Sequence, residues 1–524
     1  LQCDYLIIGG GTAGCVLANR LSENPAHQVV MLEAGGTDDD RRIHIPAGIR
    51  YLLREKTHNW FYMTEPDDAV HGRSVYWPRG KVLGGSSSIN GMVYIRGQSM
   101  DFDRWEQAGA YGWGWAELLP YFRRIAHQSR GADAHHGTGG PLRVSDRNNR
   151  SEVWERFIQA AVELGIPRNP DFNGARQEGV GYYQATVDKG RRSSASVAWL
   201  RPVQNRPNLQ VIVHAMTENI LIGNGRATGA VFIRDGERHE VRCTREVLVC
   251  GGSINSPQLL MLSGIGPGAH LQALGIPVRV DAPQVGQNLQ DHLQLRLSYR
   301  LNRPISFNDQ FHSTIGKLKM ALDYALRRGG AIAYPTAQVG LFTRSAPDVA
   351  TPDIQFHFSN YTHNEQTGLP DRFPGMLFSV CHLRPESRGQ ILLKSTSAND
   401  HPRIHANYLH AAEDRRVAVE EIRLVRRLAA TRPLAGIIDR ELSPGPDATT
   451  DEQFLDFARG NGTSIYHPGA LAACMLAVAQ PAAASDDYPS RPIKIIIPYQ
   501  AGGGTDVMTR IIIEKVRERT KQPF

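Results

Sequence analysis

Three glycines near the amino terminus have the spacing of a dinucleotide-binding turn. Gly9, Gly11 and Gly14 fit G-x-G-x-x-G; an apolar run at 4–8 precedes them and helical periodicity follows over 12–22. The first glycine allows a tight turn, the second allows the backbone to approach a pyrophosphate, and the third allows close helix–strand packing. The positive end of the helix then faces the phosphates. This pattern indicates phosphate binding at the start of the helix.

A carboxylate follows at the distance typical of a ribose contact. Glu33 lies 19 residues after Gly14, at the end of a second apolar run, Val29–Leu32. A carboxylate there can accept hydrogen bonds from ribose hydroxyls and disfavours a 2′-phosphate. The order strand, turn, helix, strand predicts a βαβ unit with a dinucleotide site, and the alternative is a structural turn without a ligand. The motif does not distinguish FAD from NAD.

Length and composition restrict the class of protein. The chain has 524 residues, of which 41% are hydrophobic and 21% charged, as is typical of globular proteins. The net charge of +7 is spread along the chain, so we expect no nucleic-acid partner. The six cysteines lack metal or disulfide spacing, which predicts no metal site and favours a reducing compartment. No apolar run reaches the ~20 residues of a transmembrane span. We expect a cytoplasmic protein, with peripheral attachment to the inner membrane as the alternative.

Further elements follow from local patterns. Helical periodicity predicts helices over 151–165 and 411–432, and a strand-to-helix transition over 251–266. Alternating apolar residues predict antiparallel strands with a turn at Asp235-Gly236; these strands are 209–213, 230–233, 239–243 and 247–250. The mixture of strands and helices predicts an α/β fold.

Two longer blocks resemble the signatures of a known enzyme family. Residues 80–90, GKVLGGSSSIN, and residues 252–266, GSINSPQLLMLSGIG, resemble the first and second signatures of the glucose–methanol–choline (GMC) flavoprotein oxidoreductases. Three shorter segments resemble the family in the same order: 283–292, 383–389 and 462–468. The resemblance covers about 1–468.

The resemblance implies a Rossmann-like FAD-binding domain over 1–310, with an interleaved β-rich (α+β) substrate domain over 311–468. It implies FAD rather than NAD. The FAD would be non-covalent, because Ile89 stands where some members carry a flavin-linked histidine. A loop of small residues can lie flat against a flavin ring. For Val213, which would contact the adenine through its backbone, the alternative is plain sheet core. The predicted cofactor-binding residues are Gly9, Gly11, Thr12, Ala13, Gly14, Glu33, Ala34, Trp60, Gly84, Gly85, Ser86, Asn90, Gly91, Met92, Val93 and Val213.

By the same resemblance, His467 is the catalytic residue. A neutral imidazole is suited to take the hydroxyl proton of an alcohol while hydride leaves its carbon for flavin N5. The alternative is a structural or surface histidine, which is how we interpret the others, including His292 and the His135-His136 pair. The implied activity is oxidation of a primary alcohol, whether choline-like, aliphatic or polyether, to the aldehyde. Electrons would pass to a quinone or another acceptor; the oligomeric state is left open. An NAD-dependent reductase and a carboxylate-binding protein are the rival hypotheses.

The sequence departs from the family pattern after Pro468. An uncharged, Ala-rich run extends to Ala484 and a new apolar run follows at Ile493–Ile497. Residues 469–524 resemble the leader and amino terminus of a tripartite tricarboxylate transporter solute-binding protein; a divergent native carboxy terminus is the alternative. The family normally supplies a second catalytic His or Asn and further flavin contacts here. We therefore expect impaired activity, or a catalytically dead flavoprotein.

Overall fold

The computed structural model describes residues 1–146, 150–333, 337–364 and 367–469. The predicted foreign segment from residue 470 onward lies outside the described residues. Within them the α-helices are α1 (Thr12–Leu21), α2 (Arg41–His44), α3 (Ile49–Leu52), α4 (Ser99–Gln107), α5 (Trp115–Ile125), α6 (Glu152–Glu163), α7 (Gly252–Leu262), α8 (Gly268–Ala273), α9 (Phe307–His312), α10 (Thr314–Arg327), α11 (Ala412–Ala430), α12 (Arg432–Ala435) and α13 (Asp451–Asn461).

The strands form two principal sheets and several short pairs. In chain order they are β1 (Gln2–Ile8), β2 (Val29–Leu32), β3 (Tyr62–Met63), β4 (Tyr76–Trp77), β5 (Val93–Tyr94), β6 (Ala126–Gln128), β7 (Leu142–Val144), β8 (Gly179–Tyr182), β9 (Gln184–Ala185), β10 (Val187–Asp188), β11 (Arg191–Arg192), β12 (Leu209–Ile212), β13 (Met216–Gly223), β14 (Arg226–Arg234), β15 (Glu237–Val249), β16 (Ile265–Gly266), β17 (Val280–Asp281), β18 (Leu293–Leu301), β19 (Val339–Thr343), β20 (Ile354–Ser359), β21 (Gly375–His382), β22 (Gln390–Leu392), β23 (Arg403–His405), β24 (Ile438–Ser443) and β25 (Thr463–Ser464).

The first sheet carries the glycine turn. Its order is β12-β2-β1-β15-β14-β13, with β12, β2, β1 and β15 parallel and the last two strands antiparallel. The predicted unit of β1, α1 and β2 is present. Both faces of the sheet are covered, one by α1 and the other by α7, and the apolar side chains between them are buried. The parallel strands therefore all end at the same edge, where α1 and α7 begin.

The predicted antiparallel run over 209–250 is wrong in three respects. β12 pairs in parallel with β2 and not with its neighbours in sequence. β13 was missed, because its residues alternate weakly between polar and apolar. The two predicted strands 239–243 and 247–250 are parts of β15, whose exposed polar residues hide its continuity. The turn at Asp235-Gly236 is confirmed, and both residues have positive φ.

The second sheet is antiparallel and joins distant parts of the chain. Its order is β24-β18-β21-β20-β19-β8, and β25 pairs with β18. The predicted helices over 151–165 and 411–432 are confirmed as α6 and α11, which cover this sheet together with α13. Because β8 precedes β12 in the chain and β18 follows β15, the two sheets are interleaved in sequence.

Among the described residues, no helix combines the length and the apolar character that crossing a lipid bilayer requires.

Candidate active site

The glycine turn brings three backbone segments into van der Waals contact. A Cβ on Gly14 would lie 1.9 Å from the carbonyl oxygen of Gly9, and a Cβ on Gly9 would lie 2.4 Å from that of Cys250. Gly85 has φ +55°, and its Cβ would lie 2.8 Å from the Cα of Gly11. A Cβ on Gly11 itself would meet nothing closer than 4.0 Å. The other three glycines close the turn, whereas Gly11 leaves open space in front of the α1 amino terminus.

Glu33 lies in this turn as predicted. Its two carboxylate oxygens accept hydrogen bonds from the backbone N–H groups of Gly10 and Gly35, each at 2.7 Å. Burial raises the pKa of the Glu33 carboxyl to about 7, although these two hydrogen bonds act in the opposite direction. The carboxyl therefore links the ends of β1 and β2 at the edge of the sheet.

A cleft runs along this edge, with an empty volume of about 1010 Å³ including its open mouth. α1 begins after Gly11 and α7 after Gly251, and neither N-cap residue makes a side-chain hydrogen bond to its helix. The free N–H groups and positive dipole ends of two helices therefore face one cleft, an arrangement that favours an anionic ligand.

The predicted cofactor-binding residues divide into two sets. The cleft is lined by eight of them: Gly9, Gly11, Thr12, Glu33, Ala34, Trp60, Gly85 and Ser86. The other eight do not line it: Ala13, Gly14, Gly84, Asn90, Gly91, Met92, Val93 and Val213. Val213 packs against the α1 side of the first sheet, and at that end the cleft is lined instead by Ala215, Met216 and Thr217.

The buried side chain of Arg192 stabilises the segment Gly84–Asn90 by hydrogen bonds. Arg192 donates from Nη1 to the carbonyl oxygens of Ser87 and Asn90 at 3.1 and 2.8 Å, and to Asn90 Oδ1 at 2.6 Å. Asn90 Oδ1 also accepts from the N–H of Met92 at 3.0 Å. The amide oxygen of Asn90 therefore has a structural role in this loop.

Sequence reasoning missed a second set of cleft residues. Nine that follow β15 line the cleft: Cys250, Gly251, Gly252, Ser253, Ile254, Asn255, Gln258, Leu259 and Leu262. The signal was present, since an apolar strand, two glycines and a helix repeat the pattern found at Gly9. We expected a strand-to-helix transition over 251–266 but no site residue within it.

His467 lies on a short segment that pairs with the start of β18. Leu293 and Gln294 pair with Ser464 and Thr463, and Gln290 and Gly469 exchange backbone hydrogen bonds of 2.8 and 2.7 Å. Next to His467, the Pro468 carbonyl accepts a hydrogen bond of 3.0 Å from the hydroxyl of Ser253, at the start of α7. The segment is therefore tied to both sheets, and it brings His467 to the junction between them.

Asp291 is the main support of the His467 segment, and sequence reasoning did not identify it. Its Oδ1 accepts from the backbone N–H of His467 at 3.0 Å. Its Oδ2 accepts from the hydroxyl of Ser464 at 2.5 Å and from that of Tyr408. Burial raises the pKa of Asp291 to about 6, while these hydrogen bonds and the charge of Arg79 act to lower it. One buried carboxyl thus fixes the backbone that carries His467.

The surroundings of His467 favour the neutral imidazole. Its ring is half-buried and lies 5.9 Å from the ring of His292, at 75°. Burial is the main cause that lowers the pKa of His467 well below its usual value, and His292, His357 and Arg79 add to it. His292, which we expected to be solvated or structural, is not solvated: burial lowers its pKa to about 4, and its ring lies against that of His467.

Arg79 is a buried cation between the two parts of the site. It lines the cleft, and its Nε and Nη2 have no hydrogen-bond partner among the described residues. Burial lowers the pKa of its guanidinium to about 9, and the carboxyl of Asp291 acts in the opposite direction. Its Nη1 donates to the carbonyl oxygen of Pro78, which leaves the other two nitrogens unsatisfied. Buried unsatisfied donors are costly, so their place in the cleft wall favours a polar or anionic group in the cleft.

Comparison with known proteins finds relatives that match most of the chain. The chain is 39% identical to alcohol dehydrogenase (acceptor) of Pseudomonas putida over 527 residues, covering 98% of this chain and 95% of that protein. It is 41% identical to oxygen-dependent choline dehydrogenase of Sinorhizobium medicae over 468 residues, covering 89% and 85%. The crystal structure of pyridoxine 4-oxidase from Mesorbium loti superimposes with a TM-score of 0.86 at 28% identity, covering 99% of both chains.

The family itself is shown by two sequence models. The amino-terminal GMC oxidoreductase model matches residues 3–294, more than half of the chain, and the carboxy-terminal one matches residues 385–482. The second match ends inside the segment from residue 469 that we expected to be foreign; the transporter resemblance has no support from these comparisons. The chain belongs to the GMC oxidoreductase family.

Proposed function

We propose that the chain oxidises a primary alcohol to an aldehyde, with FAD bound non-covalently and His467 as the general base. Choline-like, aliphatic and polyether alcohols are the candidate substrates. The names of the relatives support the CH–OH class of donor, since they act as alcohol or choline dehydrogenases. The observation that carries the proposal is His467, fixed through Asp291 beside the dinucleotide cleft in surroundings that favour a neutral ring.

The residues present fit FAD. The first sheet would be its Rossmann-like binding layer, with the α1 and α7 amino termini toward the pyrophosphate. Gly11 leaves room for a close backbone approach, and Glu33 lies where it can meet a ribose. Arg79 lines the same cleft, and its Nε and Nη2 have no partner among the described residues. Ile89, where a covalent link would require histidine, is buried and offers no nucleophile.

The chain's own part in the reaction is to hold the alcohol and take one proton. When bound, FAD supplies the acceptor for the hydride that leaves the alcohol carbon. His467 accepts the hydroxyl proton on a ring nitrogen, and a lowered pKa keeps that nitrogen free at neutral pH. The buried Asp291 holds the backbone of His467, so the ring does not depend on a mobile loop for its position.

Several further features belong to this proposal. The FAD-binding domain would occupy 1–310 with inserted segments, since β8 and β18 join the second sheet, and the substrate domain would occupy 311–468. Electrons would pass to a quinone or another acceptor. The location would be cytoplasmic, with peripheral association at the inner membrane as the alternative. Thr217, which lines the cleft where Val213 does not, is our replacement for Val213 at the adenine end.

We also propose that the sequence after Pro468 impairs the activity, because the family's second catalytic His or Asn is not recognisable there. The resemblance of 469–524 to a transporter binding protein remains our interpretation of its origin. Replacing these residues with the corresponding segment of the Pseudomonas alcohol dehydrogenase should raise alcohol-dependent dye reduction at least tenfold. An unchanged rate would contradict the impairment.

The direct test of the function is a purified protein supplied with excess FAD. It should be yellow after gel filtration and should reduce an artificial dye when choline or an aliphatic alcohol is added. A colourless protein that responds to NAD would support a reductase, and one that is stabilised by dicarboxylates without flavin would support a binding protein. Either result would overturn the proposal.

A further inference from the structure

A second cleft, separate from the first, is lined by cationic side chains. It lies beside the hairpin of β10 and β11 and has an empty volume of about 1600 Å³ including its mouth. It shares no lining residue with the cleft that contains Gly9 and Glu33. Its cations are Arg20, Arg124, Arg143, Lys189, Arg191, Arg192 and Arg201, with His44 beside them, and its one lining carboxylate is that of Asp188.

The backbone fixes three of these cations at neighbouring positions. Arg191 lies on β11 opposite Asp188 on β10, and Lys189 is in the turn between these strands. Arg143 lies on β7, and its N–H donates to the Ser193 hydroxyl at 3.2 Å, just beyond β11. The hairpin and β7 therefore present their cations to the same cleft.

Some of the cations are neutralised within the protein and others are not. Arg201 pairs with Asp38 at 3.0 Å, and Arg20 pairs with Glu23 at 2.6 Å. No ion pair or hydrogen bond is seen for the side chains of Arg143, Lys189 or Arg191 within the described ranges, and all three are exposed. An excess of unpaired positive charge in a concave site attracts small anions.

Arg192 connects this cleft to the Gly84–Asn90 loop. It is 2% exposed and lines the cleft, while its Nη1 donates to Ser87 and Asn90. Its Nη2 is buried and has no partner within the described part of the chain. The Arg192 side chain is therefore part of the cleft wall and at the same time a hydrogen-bond donor to the Gly84–Asn90 loop.

We propose that this cleft binds a compact polyanion, such as an oligophosphate or a tricarboxylate, and that Arg192 transmits its binding to the Gly84–Asn90 loop. The anion contacts the exposed side chains of Arg191, Lys189 and Arg143, and the buried Arg192 lies in the cleft wall next to them. Bidentate arginine contacts suit both phosphate and carboxylate groups. The concave shape of the cleft favours a small ligand over the flat surface of a protein partner.

Calorimetric titration of the purified full chain with pyrophosphate, and separately with citrate, tests the site. At low ionic strength we expect saturable binding of at least one probe, and the tighter of the two identifies the ligand class. The double variant R143Q/R191Q should weaken it at least tenfold, while R226Q, an exposed arginine on the β13–β14 hairpin, should change it less than twofold. Absence of binding to both probes, or an equal loss in R226Q, would overturn the site.

The link to the loop has its own readout, and this part alone rests on the proposed FAD. Titration of the yellow protein should change its flavin absorbance with the same midpoint as the calorimetric binding. Binding without any spectral change would refute the role of Arg192 in transmission and leave the site itself supported. Failure of FAD to bind would show as a colourless protein, and the calorimetric result would still decide the site.

Discussion

The dinucleotide cleft and the His467 segment are built on different physical principles. The cleft depends on the absence of side chains at Gly9, Gly14 and Gly85. At these positions the backbone segments approach each other more closely than a Cβ atom would allow. The His467 segment is shaped by buried ionisable groups that restrain one another, chiefly Asp291. The glycine positions of the cleft are set by spacing within a short stretch of sequence. The His467 segment instead depends on a contact between residues that are 176 positions apart. The two regions should therefore fail differently when they are altered.

The largest expected effect is a loss of catalytic rate without a loss of FAD binding. His467→Ala removes the general base, and we expect kcat/KM to fall about 10²–10⁴-fold. The yellow colour should remain, because His467 does not line the dinucleotide cleft. His410→Ala, at an exposed histidine paired with Asp67, is the matched control and should be close to wild type in both measurements.

Substitution of Asp291 removes the hydrogen bonds that hold the His467 segment and leaves the His467 imidazole in the chain. Asp291→Ala eliminates the acceptors for Ser464, Tyr408 and the His467 backbone, and should lower the free energy of unfolding by about 2–4 kcal/mol. Chemical denaturation measures the loss. Activity should fall more than the folded fraction does, because the histidine loses its anchor. A stable variant with full activity would contradict the positioning role of Asp291.

Protonation of Asp291 should make the stability of the protein depend on pH through the His467 segment. Its pKa is raised from 3.8 to about 6 in the folded protein, so the stabilising effect of its proton is complete below pH 4 and is lost as the pH rises through 6. Between pH 4 and 7 the wild type should lose about 2 kcal/mol of stability relative to Asp291→Asn, which cannot ionise. Denaturation of both proteins across this range is the measurement. A constant difference would mean that Asp291 is not buried as a carboxyl.

Two glycine variants test the cleft from within. A Cβ on Gly14 clashes with the Gly9 backbone, so Gly14→Ala should cost about 1–3 kcal/mol of stability. Gly11→Ala meets open space and should leave the apoprotein stable, while it weakens FAD binding by filling the approach to the pyrophosphate. Thermal unfolding with and without FAD separates the two effects. If both variants lost only stability, the cleft would not be a cofactor site.

Features set by local spacing could be predicted from the sequence, whereas features set by contacts between distant residues could not. The turn at Gly9, the position of Glu33 and α1 follow from local spacing, and the structure contains all of them. Asp291 could not be recognised, because nothing local shows that it meets a segment 176 residues later. β12 was assigned the wrong direction for a similar reason, since its partner β2 is distant in sequence.

Arg79 and Arg192 illustrate a second limit. Both sit in unremarkable sequence, next to Pro78 and Arg191, where a charged residue is normally expected to be exposed. Their burial is a property of the packed structure, in which Arg79 is 6% and Arg192 is 2% exposed. The cleft residues after β15 differ from these two arginines, because their strand–glycine–helix pattern is local and indicates a second helix amino terminus at the edge of the sheet.

Anaerobic mixing of the FAD-loaded protein with choline or an aliphatic alcohol tests the central claim most directly. Wild type should lose its yellow colour in a single turnover, at a rate that stays constant from pH 7 to 9, because His467 is already neutral there. His467→Ala should bind FAD and bleach at least about 100-fold more slowly. Bleaching of the variant at the wild-type rate would contradict the assignment of His467 as the base of an FAD-dependent alcohol oxidation.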